Sequence, residues 1–166
     1  RLLQLTLFGN PPPPETGLRP LTLEDRVMIE QELAGSSRAF AEEAFAPLFA
    51  FSDLLRFYWK KEKQALWIVA EQGNHFFMPI PPVAKEITQE LLEAGLDLLK
   101  RLNPEGAPLR IEGLSEEILG RVDALGCTFS PKPPDYLYRR KDLVDLQGDA
   151  YKSKRALYNY MHGIGL

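Results

Sequence analysis

The chain is 166 residues long, the size of one domain with a single hydrophobic core. It is 45% apolar and 26% charged, and its net charge of −3 argues against a general nucleic-acid coat or a polybasic membrane anchor. One cysteine, Cys127, excludes an internal disulfide framework and suits a reducing compartment, so a cytoplasmic location is expected.

The first stretch, "RLLQLTLFGN", has no small-residue cleavage site after it and does not read as a signal peptide. Apolar runs throughout fall short of the ~18 residues that a membrane span needs. "PPPPETG", Pro11 to Gly17, is a stiff polyproline-like spacer. Residues 1–17 thus form an extension, and the domain proper is expected over 18–147.

A strand at 18–21 meets Thr22, a good N-cap, with Glu24 and Asp25 in the first helical turn, where the dipole favours negative charge. Ile29 and Leu33 mark the buried stripe, and Gly35 is the expected stop. A second helical region follows, with Phe40, Ala44, Phe45, Leu48 and Phe49 at helical spacing, a break or kink near Pro47, and Ser52 capping a last short turn.

"RFYWKKEK", "ALWIVAEQ" and "HFFMPI" are rich in aromatic and β-branched residues and predict three antiparallel strands. Their turns fall at Lys61 to Gln64 and at Gln72 to Asn74. Trp59, Trp67, Phe76 and Phe77 read as core residues. A base-stacking platform would interleave such rings with exposed cations, and only the Lys60–Lys63 patch offers any, so sequence-specific DNA binding is not expected.

"PPVAKEITQELLEAGLDLLKRLNPEG" predicts the longest helix, with a stripe of Ile87, Leu91, Ala94, Leu98 and Leu102 and with Lys100 and Arg101 at its C-terminal end. "APLRIEGL" then reads as a strand, "SEEILGRVDALG" as a helix capped by Ser115, "CTFS" as a short strand and "DYLYRRK" as another. Cys127, in an apolar setting, reads as a buried core residue. Asp142 to Gln147 predict a short helical turn, and a closing helix starts near Asp149.

Charge is unevenly placed. Residues 1–130 hold 13 Lys/Arg against 19 Asp/Glu, whereas residues 131–166 hold 7 against 4. The basic end is either a solvated helix face or the place where an anionic partner is met. On helical spacing Lys152, Arg155 and Asn159 share one face, and Tyr151, Lys154 and Tyr158 share the neighbouring one. Cations beside tyrosines suit phosphate contact with a stacked ring; the alternative is a linker helix whose Tyr158 and Met161 pack on the domain.

Read as a string, residues 18–141 give an α+β fold with a mixed sheet, in the order β-α-α-β-β-β-α-β-α-β-β plus a C-terminal linker helix. This order resembles that of the GNAT acyltransferases. Three stretches, "LTLEDRVMIEQEL", "AFAPLFAFSDLLRFYW" and "DYLYRRKDLVDLQGDAYKSKRALYNYM", resemble landmarks of the phosphatidylglycerol lysyltransferase C-terminal domain family, over roughly residues 18–161. In the third, Asp135, Tyr136, Asp142, Leu143, Gly148, Tyr151, Lys154, Arg155 and Asn159 match the family pattern as they stand. Lys152 stands where a His is common, and Ala156 where an Asn is common.

The resemblance implies a tandem GNAT-like architecture. Residues 148–166 would be a basic connector toward a second half, and the chain by itself is expected to lack the full catalytic site. The resemblance also implies transfer of an aminoacyl group from a charged tRNA to a lipid head group. Tyr151, Lys152, Lys154, Arg155 and Asn159 then become candidates for binding an aminoacyl-tRNA end or an anionic acceptor.

Acyl-CoA-dependent GNAT enzymes hold the pyrophosphate on backbone N–H groups at a Gly-rich turn before the long helix. Here that turn is "MPIPPVAKE", which has no glycine and three prolines, so no cofactor is expected in this half. His75 and His162 lack cysteine partners, and no metal site is expected. No nucleophile elbow or phosphate loop is present. Glu42/Glu43 and Glu116/Glu117 are adjacent pairs that point different ways on a helix and make no acid/base pair. Two readings remain open: the N-terminal half of an aminoacyl- or acyltransferase, or a non-catalytic GNAT-like module that binds a partner and self-associates as a homodimer.

Overall fold

A computed structural model describes residues 11–35, 44–122, 126–133 and 139–164. The chain divides into two compact units, residues 1–127 and 128–166. Each is taken by itself.

Unit one is built on the antiparallel meander. Strands β1 (Arg19–Pro20), β2 (Arg56–Glu62), β3 (Ala65–Gln72) and β4 (His75–Phe77) lie in sequence order in one sheet. The register sets Arg56 opposite Glu71 and Trp59 opposite Ile68. Because side chains alternate across a strand, β3 feeds two cores. Leu66, Ile68 and Ala70 join Phe57 and Trp59 on one face, whereas Ala65, Trp67 and Val69 join Tyr58 on the other. Burial on both faces explains why "ALWIVA" is apolar without a break.

The first face is covered by α1 (Arg26–Ala34) and α2 (Phe45–Ala50), through Ile29, Leu33, Phe45 and Leu48. Thr22 takes the expected N-cap position and forms a capping box with Asp25 ahead of α1, and Gly35 ends the helix. Pro47 sits in the first turn of α2, where a missing N–H breaks no intrahelical bond, so no kink is needed. Phe40, Glu42 and Glu43 lie outside the described residues. Beyond α2 the chain turns through 51–54, with the Ser52 N–H donated to the Phe49 carbonyl.

The second face is covered by α3 (Gln89–Leu102), capped by the Thr88 hydroxyl accepting the Leu91 N–H. Its buried seam is Leu92, Gly95, Leu98, Leu99 and Leu102. Leu91 is only half-buried and Ala94 is exposed, a rotation from the stripe expected in sequence. Gly95 is the reason: a Cβ there would lie 3.4 Å from both the Ile111 Cδ1 and the Met78 Sδ, so the helix rests its smallest residue on the sheet. After α3, "APLRIEGL" contributes one parallel bridge, Ile111 beside Met78, rather than a full strand. Helix α4 (Glu116–Val122) follows, with the Ser115 carbonyl accepting the Ile118 and Leu119 N–H groups.

Three expectations about the last third of the chain are corrected. Residues 127–130, "CTFS", are not a strand, and Cys127 is exposed rather than buried. Arg140 and Lys141, expected at the end of a strand, begin helix α5 (Arg140–Asp145) instead. "RRKDLVD" satisfies its first turn from the Arg139 carbonyl and stops at Leu146, which takes φ 46°. Asp135 and Tyr136 lie outside the described residues. Unit two is completed by a short 3-10 turn, Asp149–Tyr151, and helix α6 (Lys152–Gly163).

Candidate functional site

Helix α6 carries all but one of the candidate residues. Gly148, at φ 83°, breaks the chain after α5, and Asp149 opens the turn that leads into "KSKRALYNYMHG". That helix contains no acidic residue. Lys152, Lys154 and Asn159 are exposed, and Tyr151, in the turn before it, is half-buried. Lys152, Arg155 and Asn159 do share one face, as the spacing required.

Arg155 is the exception among them. Its guanidinium donates to the carbonyl oxygens of Leu146 and Gly148, the latter at 2.7 Å. Those carbonyls close the α5–α6 turn, where backbone acceptors are left without helical donors. Arg155 therefore holds the turn, while the lysines keep their charges toward solvent. Tyr158 stands over His162 with ring centroids 6.0 Å apart.

Unit one holds two features that sequence reasoning missed. The first is a cleft of about 500 Å³ between the end of α1 (Gln31, Glu32, Gly35), the β2–β3 turn (Lys61, Lys63, Gln64) and the lead into α3 (Lys85, Glu86, Thr88). Lys61 pairs with Glu32 at 2.7 Å. Both turn residues, Lys63 and Gln64, have positive φ, 50° and 64°.

The second is a buried polar cluster. Glu71 has no exposed side-chain surface, yet it is a carboxylate. Arg56 approaches it with Nε at 3.1 Å and Nη2 at 3.2 Å, and the Tyr58 hydroxyl donates to it at 3.2 Å. Burial, and then the Glu71 charge, push the Tyr58 phenol above its usual range, so it stays a donor. The signal was present: Glu71 is the one charge in an otherwise uncharged strand.

The segment from β4 to α3 holds Pro79, Pro81 and Pro82, the last two buried. The Met78 N–H goes to the Arg110 carbonyl, and the Val83 N–H to the Leu66 carbonyl. Among the described residues no cluster of metal-ligating side chains occurs, and no helix is long and apolar enough to cross a membrane.

The sequence pattern of the family described as "phosphatidylglycerol lysyltransferase, C-terminal" matches residues 35–166. The chain belongs to this family. The match takes in β2 to β4, α2, α3 and everything after them, including the whole of α6. It leaves out β1 and α1, so the stretch "LTLEDRVMIEQEL" lies outside it. Comparison with curated proteins and with solved structures gave no match.

Proposed function

We propose that this lysyltransferase-family chain serves an aminoacyl- or acyl-transfer reaction as a GNAT-like unit, shaping the groove for an anionic substrate rather than carrying the full catalytic site. The observation that carries the reading is the family match, which spans α6 to its end. The meander, the crossover through α3 and the parallel bridge of Ile111 beside Met78 agree with a GNAT-like order over that region. The reading places the chain in the cytoplasm, where charged tRNA is met.

In such a reaction an acceptor hydroxyl or amine attacks the ester carbonyl of the donor. The new acyl bond forms, the tRNA ribose oxygen leaves, and the acceptor's proton passes to it. The protein's part is positioning, which accounts for much of the barrier lowering in reactions of this kind. Lys152 and Lys154 take the phosphates of the donor end, Tyr151 offers a ring beside them and Asn159 a neutral hydrogen bond. Arg155 keeps the start of α6 in place through Leu146 and Gly148.

The test is fluorescence anisotropy with a labelled tRNA acceptor stem and the full chain. Lys152→Gln with Lys154→Gln is expected to weaken binding about tenfold at low salt. No binding by the parent chain, or no effect of the two substitutions, would contradict the reading.

One observation favours a second reading, a non-catalytic binding module: the β4–α3 segment places Pro79, Pro81 and Pro82, which carry no N–H, where coenzyme A would call for backbone donors. Calorimetry with coenzyme A separates the cases. Tight, stoichiometric binding would contradict the account of that segment.

A further inference from the structure

The cleft of unit one has a layered lining. Its floor is apolar: Ala65 and Val83 are buried, and Ala84 and Leu91 are half-buried. Its rim is polar and exposed, with Lys61 and Lys63 from the β2–β3 side and Lys85 from the lead into α3. Two backbone bonds between Leu66 and Val83 tie these two walls together, so the cleft is built before anything enters it. An apolar floor with a few charged groups at the mouth is the usual form of a small-molecule site, and about 500 Å³ is a usual size.

The charges at the rim do not cancel. Three lysines against two glutamates, Glu32 and Glu86, leave the lining one positive charge in excess. Lys61 is taken up by Glu32 at 2.7 Å, and Glu62, next to Lys63 in sequence, is held by Lys60 at 2.8 Å. Lys63 and Lys85 form no ion pair among the described residues. An anion is the ligand that such a rim attracts.

The start of α3 says which kind of anion. The Leu91 N–H is bonded to the Thr88 hydroxyl and the Leu92 N–H to the Thr88 carbonyl. The Glu90 carboxylate sits at the same helix start, where its own N–H and Thr88 bond it and hold its carboxyl below the ordinary range. A phosphate seated on the helix N–H groups would meet that carboxylate. A carboxylate at the rim needs only the two ammonium groups, one for each oxygen. The floor then takes an aliphatic chain.

We propose that this cleft binds a short aliphatic carboxylate, Lys63 and Lys85 meeting the carboxylate while the chain rests on Ala65, Val83, Ala84 and Leu91. The site lies wholly in unit one and uses no residue of α6. It goes beyond the transfer reading and does not require it.

The experiment is isothermal titration calorimetry of the full chain with isocaproate. Saturable one-to-one binding is expected. Acetate, which lacks the chain, and isohexanol, which lacks the charge, should each bind at least about tenfold more weakly, and these arms need no variant. Lys63→Gln with Lys85→Gln is expected to weaken isocaproate binding at least about tenfold at an unchanged melting temperature. The same variant should keep the parent's affinity for the tRNA acceptor stem, and Lys152→Gln with Lys154→Gln should leave isocaproate binding unchanged. Failure of this proposal and failure of the transfer reading are thereby told apart. No binding of isocaproate, equal binding of acetate or of inorganic phosphate, or undiminished binding by the Lys63 and Lys85 variant would overturn the proposal. So would displacement of isocaproate by the acceptor stem.

Discussion

Arg56 and Glu71 stand directly opposite each other on β2 and β3, and the guanidinium grips a carboxylate that solvent does not reach. Removing one partner of such a pair leaves a buried charge, which is far costlier than never having had the pair. Arg56→Met is therefore expected to lower stability by about 3 kcal/mol, the small end of the range because Arg56 itself is partly exposed. Replacing both residues, Arg56→Met with Glu71→Leu, should recover most of that loss. Urea unfolding checks this; a single variant as mild as a surface substitution would show that Glu71 is not held by Arg56.

Gly95 tests the rotated seam of α3. The nearest atoms to an added Cβ are at 3.4 to 3.5 Å, ordinary contact distance, and two of the three belong to the adaptable Met78 side chain. Gly95→Ala is expected to stabilise by roughly 0.5 kcal/mol, since alanine brings up to about 1 kcal/mol of helix propensity. Gly95→Leu should destabilise by more than about 2 kcal/mol through overpacking. If leucine is tolerated as well as alanine, α3 does not rest on Met78 and Ile111 as described.

Lys63 and Gln64 turn the β2–β3 hairpin with two positive φ angles, a conformation that favours Asn-Gly. Gln64→Gly is expected to raise stability by about 1 kcal/mol, by removing a left-handed non-glycine residue. A loss on thermal unfolding would mean that the Gln64 side chain does more than line the cleft.

Asp25 sets a pH response. Burial would raise its carboxyl above the ordinary 3.8, but this is outweighed by hydrogen bonds from the Thr22 N–H and the Thr22 hydroxyl, and by the Arg19 charge, so the folded value is depressed. A depressed carboxylate contributes stability that is present above its unfolded value and is lost as pH falls through the folded one. Stability should decline between pH 4 and lower values, and less steeply in Asp25→Asn. Denaturation curves across that range check it; identical slopes would remove Asp25 from the acid response.

The meander was legible because each strand is bounded by its own turn and carries aromatic or β-branched residues. Thr22, Asp25 and Gly35 were legible because capping is local chemistry. The α3 seam was missed because Gly95 carries no hydrophobic side chain, yet contact with Met78 and Ile111 selects the smallest residue. Cys127 was misplaced because apolar neighbours in sequence do not by themselves bury a side chain. Arg155 looked like its neighbouring lysines, and only the fold shows that its Nη1 donates to the Leu146 and Gly148 carbonyls. Glu71 was visible as an odd charge in β3, but its partners lie across the strand pair and not beside it in sequence.

The central claim is that the lysines of α6 meet phosphate while Arg155 serves the turn. The most direct measurement is the salt dependence of acceptor-stem binding for the parent chain, Lys152→Gln with Lys154→Gln, and Arg155→Met. Each lost phosphate contact flattens the slope of log affinity against log salt by about 1. The account predicts a slope flatter by about 2 in the double lysine variant. In Arg155→Met it predicts an unchanged slope, with faster amide exchange in residues 146–155. A slope that flattens with Arg155→Met but not with the lysine pair would contradict it.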